Sequence, residues 1–211
     1  MVLSHVLSGI LGYLIGSIPT AFLLVRWKSN VDIRDAGSGN VGALNSLKVT
    51  KSKFLGGGVL LLDLLKGIVV VVLASRMFGE QFSIPATAGV AAVVGHNFPV
   101  WLKFKGGRGL ATAAGVMLML GWAVVLMWVI MWVVGFVLTK HVNAGNTIAT
   151  AGTLLGIVVA PEGLLASLVA SNIVPTEFKL FALPLFIAIL AKHIEPMREY
   201  LDNYRVAGND H

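Results

Sequence analysis

Long apolar stretches alternate with short polar loops along the whole chain. Several of the stretches approach the roughly 20 residues that a helix needs to cross a bilayer. The third and fourth are short, and segment 161–175 either lengthens the sixth helix or lies at the membrane interface. We therefore predict an all-α integral membrane protein of one domain, with about seven transmembrane helices and a polar tail from about Arg205. The predicted helices cover residues 3–25, 54–78, 84–94, 110–120, 122–138, 147–160 and 178–191.

Composition agrees with a membrane-embedded chain. Of its 211 residues, 56% are hydrophobic and 12% are charged, against about 25% charged in soluble domains. There is no cysteine, which excludes disulfides, thiolate nucleophiles and Cys-ligated metals. The formal charge of +6 does not indicate a nucleic-acid partner, because basic loops retained in the cytoplasm beside anionic lipid account for the excess of Lys and Arg.

The distribution of Lys and Arg predicts the orientation. With the N-terminus outside, 13 of the 16 basic residues fall in cytoplasmic loops. Only Arg76 and Lys179 lie on the outer side, and Lys66 lies within a helix. Because short cytoplasmic loops are enriched in Lys and Arg, we expect an outside N-terminus and a cytoplasmic C-terminus. This orientation places the glycine-rich loops in the cytoplasm, where phosphorylated metabolites are found.

The first glycine-rich segment is Gly37-Ser38-Gly39-Asn40-Val41-Gly42-Ala43. It matches the G-x-G-x-x-G pattern but follows a predicted membrane helix rather than a strand, so it is not a dinucleotide fingerprint. A flexible glycine loop is the plain alternative. Glycines and small polar side chains so close together favour phosphate binding instead. The residues predicted to bind phosphate here are Ser38, Gly39, Asn40, Asn45 and Lys48.

A second glycine-rich segment, Gly106-Gly107-Arg108-Gly109, directly precedes an apolar helix. A helix N-terminus reached through glycines and carrying an Arg favours anion binding, so Gly107 and Arg108 join the predicted phosphate site. Lys103 and Lys105 also fit a basic membrane flank. His96 is either a packing residue or a chemical group. Metal binding is not predicted, because no partner His or carboxylate stands at ligand spacing.

Two further pairs of polar residues lie in or near predicted helices. Asp63 and Lys66 are three residues apart and therefore share a helix face. Since charges in lipid are costly unless paired, they form either a structural pair or part of a substrate lining. His193 and Glu195 follow the last predicted helix. They are either residues of the site or part of a solvated segment that flanks the helix.

These segments resemble the bacterial acyl-phosphate:glycerol-3-phosphate acyltransferases. The resemblance rests on the segment from Gly37 to Asn45, Asp63-Leu64-Leu65-Lys66-Gly67, Gly95-His96 with Pro99, and Phe104 to Thr112. It implies a seven-helix inner-membrane enzyme that transfers a fatty acyl group from acyl phosphate to glycerol 3-phosphate. The product would be lysophosphatidic acid, at the first step of phospholipid synthesis. No cofactor is implied.

The resemblance also implies roles for individual residues. Ser38, Lys48, Gly107 and Arg108 would bind phosphate. Asn143 and His193 would position the acceptor, with His193 or a substrate phosphate oxygen taking the hydroxyl proton. His96, Lys66, Asp63 and Glu195 would support the site.

This chain departs from the family pattern at four positions, which leaves the identity of the acyl acceptor open. The family usually has Arg at the position of Lys48 and Lys at that of Arg108. It has Ser at the position of Asn143, and Asn at that of Pro196. Lys and Arg bind phosphate differently, as a point charge and as a fork.

Two other readings of the chain remain. A transporter of an anionic or phosphorylated solute would place its site at mid-membrane, often between repeats. A divergent acyltransferase would use another acceptor. The predicted site at one membrane surface favours an acyltransferase, while acyl-chain length and oligomeric state are not indicated.

Overall fold

The computed structural model describes residues 1–169 and 173–209, with no description of the side chains at 203 and 206–209. Throughout this described part the regular structure is helical, as predicted. Contacts divide the chain into two compact units, Met1–Leu120 and Gly121–His211. The prediction of one domain is not tested by this division.

The first unit contains six α-helices. Close packing joins α1 to α5, because a Cβ at Gly12 or Gly16 would collide with the backbone of Ala88 or Ala92. Small residues allow this approach between helices whose surroundings are apolar. The helices are α1 (Val2–Gly16), α2 (Thr20–Ser29), α3 (Ala43–Thr50), α4 (Lys53–Phe78), α5 (Ser83–Asn97) and α6 (Leu110–Leu120).

The continuous helix predicted over residues 3–25 is wrong in one respect. The chain leaves the helix at Ser17 and re-enters it at Thr20. Pro19 has no N–H to donate, and its ring disfavours helical geometry at Ile18. The break leaves the Ile18 carbonyl outside the α1 ladder, where it accepts a hydrogen bond from Lys66 Nζ at 3.2 Å.

The described residues of the second unit form five α-helices. The sixth predicted helix begins five residues earlier than expected, so that Asn143 lies in a helix rather than in a loop. Part of segment 161–175 forms a short separate helix, and residues 170–172 lie outside the described part. The polar tail predicted from Arg205 is helical to Asn209. The helices are α7 (Trp122–Thr139), α8 (Val142–Val159), α9 (Glu162–Leu168), α10 (Pro175–Ala191) and α11 (Ile194–Asn209).

Four helical segments among the described residues are long and apolar enough to cross a membrane. They are Val2–Ser29, Lys53–Phe78, Trp122–Thr139 and Val142–Val159. A fifth is obtained if Pro175–Ala191 and Ile194–Asp202, which are bent by 46°, form one span. At 15 and 11 residues, α5 and α6 fall short of the roughly 20 needed. The fold is that of an integral membrane protein, and the count of seven spans stays a prediction.

Candidate active site

The first motif loop, residues 37–42, is held in shape by the amide of Asn45. Its Oδ1 accepts the Ser38 N–H at 2.9 Å, and its Nδ2 donates to the carbonyls of Ala36 and Asn40 at 3.0 Å each. Asn45 is only 2% exposed. Gly39 has a φ of +68°, in the left-handed region that glycine adopts without strain. Asn45 therefore fixes the loop, while the Ser38 side chain is exposed.

A small ionic group fixes the segment that enters this loop. Asp32 accepts the Arg34 backbone N–H at 3.0 Å and pairs with its guanidinium at 2.6 Å. The guanidinium also lies 5.3 Å from the centre of the Phe22 ring, within cation–π range. Its hydrogen bond lowers the pKa of Asp32 to about 2. The ion pair is therefore intact at neutral pH.

The second motif loop, residues 103–109, packs against His96. Gly107 donates its N–H to the His96 carbonyl at 3.1 Å. A Cβ at Gly107 would collide with His96 Nε2 and come within 2.6 Å of the Val41 carbonyl, so only glycine fits without displacement. Arg108, which is half-buried, lies just before α6. The two motif loops and His96 thus meet in one place.

A buried network of charged and polar groups lies next to His96. Asp63 Oδ1 accepts a hydrogen bond from Thr20 Oγ1 and lies 2.8 Å from Lys66 Nζ. His96 Nδ1 lies 3.6 Å from the same oxygen. The side chains of Asp63 and Lys66 are 3% and 7% exposed. Sequence reasoning paired Asp63 with Lys66 but missed Thr20, which the helix break at Pro19 could have revealed.

The other predicted residues lie in the second unit. His193 is fully buried, and its Nδ1 lies 2.9 Å from the Ile189 carbonyl. Asn143 is half-buried in the first turn of α8, and Glu195 is exposed in the first turn of α11. A groove of about 560 Å³ is lined by residues of α11 and the end of α10 together with Thr147, and His193 is one of the lining residues.

Within the first unit, the structure brings together the two motif loops, His96, Asp63 and Lys66. Lys48 is exposed on α3, one turn after Asn45. In the described part of the chain, no group of three or more His, Asp and Glu side chains is placed to hold a metal ion. The substrate-binding and catalytic roles of these residues stay predictions.

Comparisons with known proteins relate nearly the whole chain to one family. The family model described as glycerol-3-phosphate acyltransferase matches residues 6–203. The chain is 42% identical over 140 residues to the glycerol-3-phosphate acyltransferase of Thermotoga petrophila, covering 66% of this chain and 70% of that protein. It is 45% identical over 147 residues to the enzyme of the same name from Myxococcus xanthus, covering 70% and 76%.

Two solved structures are also similar. Both are crystal structures of PlsY (YgiH), described as an integral membrane glycerol 3-phosphate acyltransferase, at 31% identity and covering 95% of this chain and 93% of that one. The TM-score is 0.78 for the glycerol 3-phosphate form and 0.76 for the lysophosphatidic acid form.

Proposed function

The chain belongs to the glycerol-3-phosphate acyltransferase family, and we propose that its acyl donor is acyl phosphate. The enzyme transfers a fatty acyl group to the sn-1 hydroxyl of glycerol 3-phosphate and yields lysophosphatidic acid. The observation that carries this function is the meeting of both motif loops at His96, in a chain that matches the family over residues 6–203. Phospholipid synthesis is the pathway that this product enters.

The proposed reaction makes modest demands on the protein. The hydroxyl oxygen of glycerol 3-phosphate attacks the carbonyl carbon of acyl phosphate, and the bond from that carbon to the phosphate oxygen breaks. Inorganic phosphate leaves with the electron pair. Because the donor is a mixed anhydride with a good leaving group, the main tasks are to hold two phosphates, align the hydroxyl and stabilise the oxyanion.

Side chains, rather than loop N–H groups, suit the phosphate contacts in this structure. The N–H groups of Ser38, Gly39 and Gly107 already donate to acceptors within the protein. The exposed Ser38 hydroxyl and the cations of Lys48 and Arg108 would therefore meet the phosphates. Gly39 and Gly107 contribute by allowing the loop geometry, and Asn45 contributes by holding the first motif loop.

His193 and Asn143 are proposed to position the acceptor. A carbonyl oxygen can only accept a hydrogen bond, so the contact with Ile189 places a proton on His193 Nδ1. A neutral ring then carries its lone pair on Nε2, the form required of a proton acceptor. The hydroxyl proton passes to this nitrogen or to an oxygen of the donor phosphate. Pro196, three residues after His193, stands where the family usually has an Asn and cannot supply a side-chain hydrogen bond.

We place the enzyme in the bacterial inner membrane, with the N-terminus outside and the C-terminus in the cytoplasm. The support is the bias of Lys and Arg towards loops on one side of the apolar helices. Glycerol 3-phosphate would then reach the motif loops from the cytoplasm. The phosphate group of the donor would lie on the same side, while its acyl chain enters from the membrane lipid.

The donor assignment is tested with purified protein in lipid or detergent. Acyl phosphate, acyl-CoA and acyl-carrier protein are each supplied with glycerol 3-phosphate, and lysophosphatidic acid is quantified. We expect product from acyl phosphate. Product from acyl-CoA alone would refute the donor assignment, and no product from any donor would refute the proposed reaction. Glycerol in place of glycerol 3-phosphate is the control for recognition of the acceptor phosphate.

A further inference from the structure

The proposed reaction assigns no step to the buried network at Asp63, whose predicted supporting role is otherwise undefined. Asp63 Oδ1 accepts a hydrogen bond from Thr20 at the start of α2 and pairs with Lys66, one turn along α4. It also lies 3.6 Å from His96 Nδ1, near the end of α5. Ionised groups inside a membrane-spanning helix are costly and are usually functional. A pair serving only to neutralise itself would need neither the Thr20 hydroxyl nor His96.

His96 connects this network to the second motif loop in two ways. Its backbone carbonyl accepts the Gly107 N–H at 3.1 Å. Its ring has Nδ1 towards Asp63 and Nε2 against the α-carbon of Gly107, at the place a Cβ would occupy. The angle of the ring therefore sets how closely Gly107, and with it Arg108, can approach the first motif loop.

A small cavity lies on the same path. It measures about 10 Å³ and is lined by Thr20, Val41, Lys66 and His96, among others. Val41 belongs to the first motif loop, and its carbonyl faces Gly107. The network therefore lies next to both motif loops.

We infer that Thr20 and Asp63 are positioning residues for phosphate binding. Asp63, oriented by the Thr20 hydroxyl, holds the His96 ring, and the ring holds the second motif loop so that Arg108 can meet a substrate phosphate. This inference rests on the proposed function for the identity of the phosphates. It assigns a task to Thr20, which contacts neither motif loop through a hydrogen bond of its own.

Thr20→Val is the central variant, because valine keeps the shape and removes the hydroxyl. Thr20→Ser keeps a hydroxyl and should restore the behaviour of the original protein. Thr87→Val is the matched control: Thr87 is a half-buried threonine of the same unit, and its hydroxyl donates to the Ser83 carbonyl instead. Each of the two valine variants therefore keeps the shape of the side chain and removes one hydroxyl.

Two measurements follow for each variant. The first is kcat and KM for acyl phosphate and for glycerol 3-phosphate. The second is hydrogen–deuterium exchange of the amides of residues 106–109. In Thr20→Val we expect KM for at least one of the two substrates to rise about threefold to tenfold, with the upper figure near the lower end of what one hydrogen bond to a charged group contributes. We also expect exchange at residues 106–109 to accelerate while the rest of the first unit is unchanged.

A purely structural role predicts a different pattern. Partial unfolding reduces the amount of active enzyme, which lowers apparent kcat and leaves both KM values unchanged. That pattern, or unchanged exchange at residues 106–109, would overturn the inference, as would failure of Thr20→Ser to restore KM. If the unsubstituted protein forms no lysophosphatidic acid, the proposed function fails, and the exchange experiment still decides whether Thr20 fixes the loop.

Discussion

The buried pair of Asp63 and Lys66 allows a quantitative prediction about stability. We consider Asp63→Asn and Lys66→Met, each of which leaves the other charge without its partner, and the double variant, which leaves neither charge. The two atoms of the pair are 2.8 Å apart and the side chains are 3% and 7% exposed. Water therefore cannot compensate the charge that remains.

The magnitudes follow from this burial. Removing one partner of a buried ion pair costs about 3–5 kcal/mol. At about 2–4 °C per kcal/mol for a chain of this size, either single variant should lower the unfolding temperature by about 6–20 °C. The double variant removes both charges, and the Ile18 carbonyl loses Lys66 Nζ as a donor but keeps the Thr20 N–H at 3.0 Å, so that no buried charge or unsatisfied carbonyl remains there. It should therefore be more stable than the less stable single variant.

The assay is thermal unfolding of purified protein in one detergent, followed by intrinsic fluorescence at a fixed heating rate. The fixed rate matters because unfolding temperatures of proteins that unfold irreversibly depend on it. The pair of Asp32 and Arg34 is the control, since its side chains are 19% and 29% exposed and such pairs contribute about 0–1 kcal/mol. Asp32→Asn should thus lower the unfolding temperature by about 4 °C or less.

Comparison of the two single variants with the double variant can refute this reasoning directly. If the losses of the two single variants add up to the loss of the double variant, the two charges do not stabilise each other. Equal losses in Asp32→Asn and Asp63→Asn would show that burial does not determine the cost.

Three further predictions concern the phosphate site and the orientation. Arg108→Ala should lower kcat/KM about 10- to 100-fold, because a charge-assisted hydrogen bond contributes roughly 1.5–3 kcal/mol. Lys103→Ala should lower kcat/KM far less. Equal, mild losses in the two variants would mean that the second motif loop is only a basic membrane flank. If Lys48 and Arg108 bind one phosphate, the double variant Lys48→Arg with Arg108→Lys should recover the kcat/KM lost in either single variant. Additive losses would show that the two cations do not bind the same phosphate. In intact cells, an impermeant thiol reagent should label a cysteine placed at Ser4 but not at Asn209, and the opposite labelling would invert the orientation.

Patterns of apolar residues predicted the class of fold and most of the helices. The helix over residues 110–120 has the predicted bounds, and α7 and α4 differ from prediction by one residue at one end. Such helices are specified locally, because a long apolar segment in lipid satisfies its backbone groups only within itself. Family membership could also be read from the sequence, since short motifs with glycines and cations keep their order along the chain.

The environment of the site residues depended on tertiary structure. Sequence reasoning assigned Asn45 to phosphate binding, yet its amide binds the backbone of the first motif loop. It left His96 as either a packing residue or a chemical group, and only the packing of α5 against α4 and the second motif loop gave the ring its neighbours on both sides. Thr20 was missed because its hydroxyl acts on a carboxylate 43 positions away.

These differences have one physical cause. Hydrophobic periodicity indicates the secondary structure of a segment and which of its faces contacts lipid, and both depend on residues that are close in sequence. A buried polar group instead takes whichever donors and acceptors the packed helices bring to it, and it must be satisfied because water is excluded. The sequence by itself therefore determined that this chain is a membrane protein, and it predicted phosphate binding at the two motif loops. Only the tertiary structure decided which polar side chains of those motifs are exposed, as Ser38 is, and which are buried against the loop backbone, as Asn45 is.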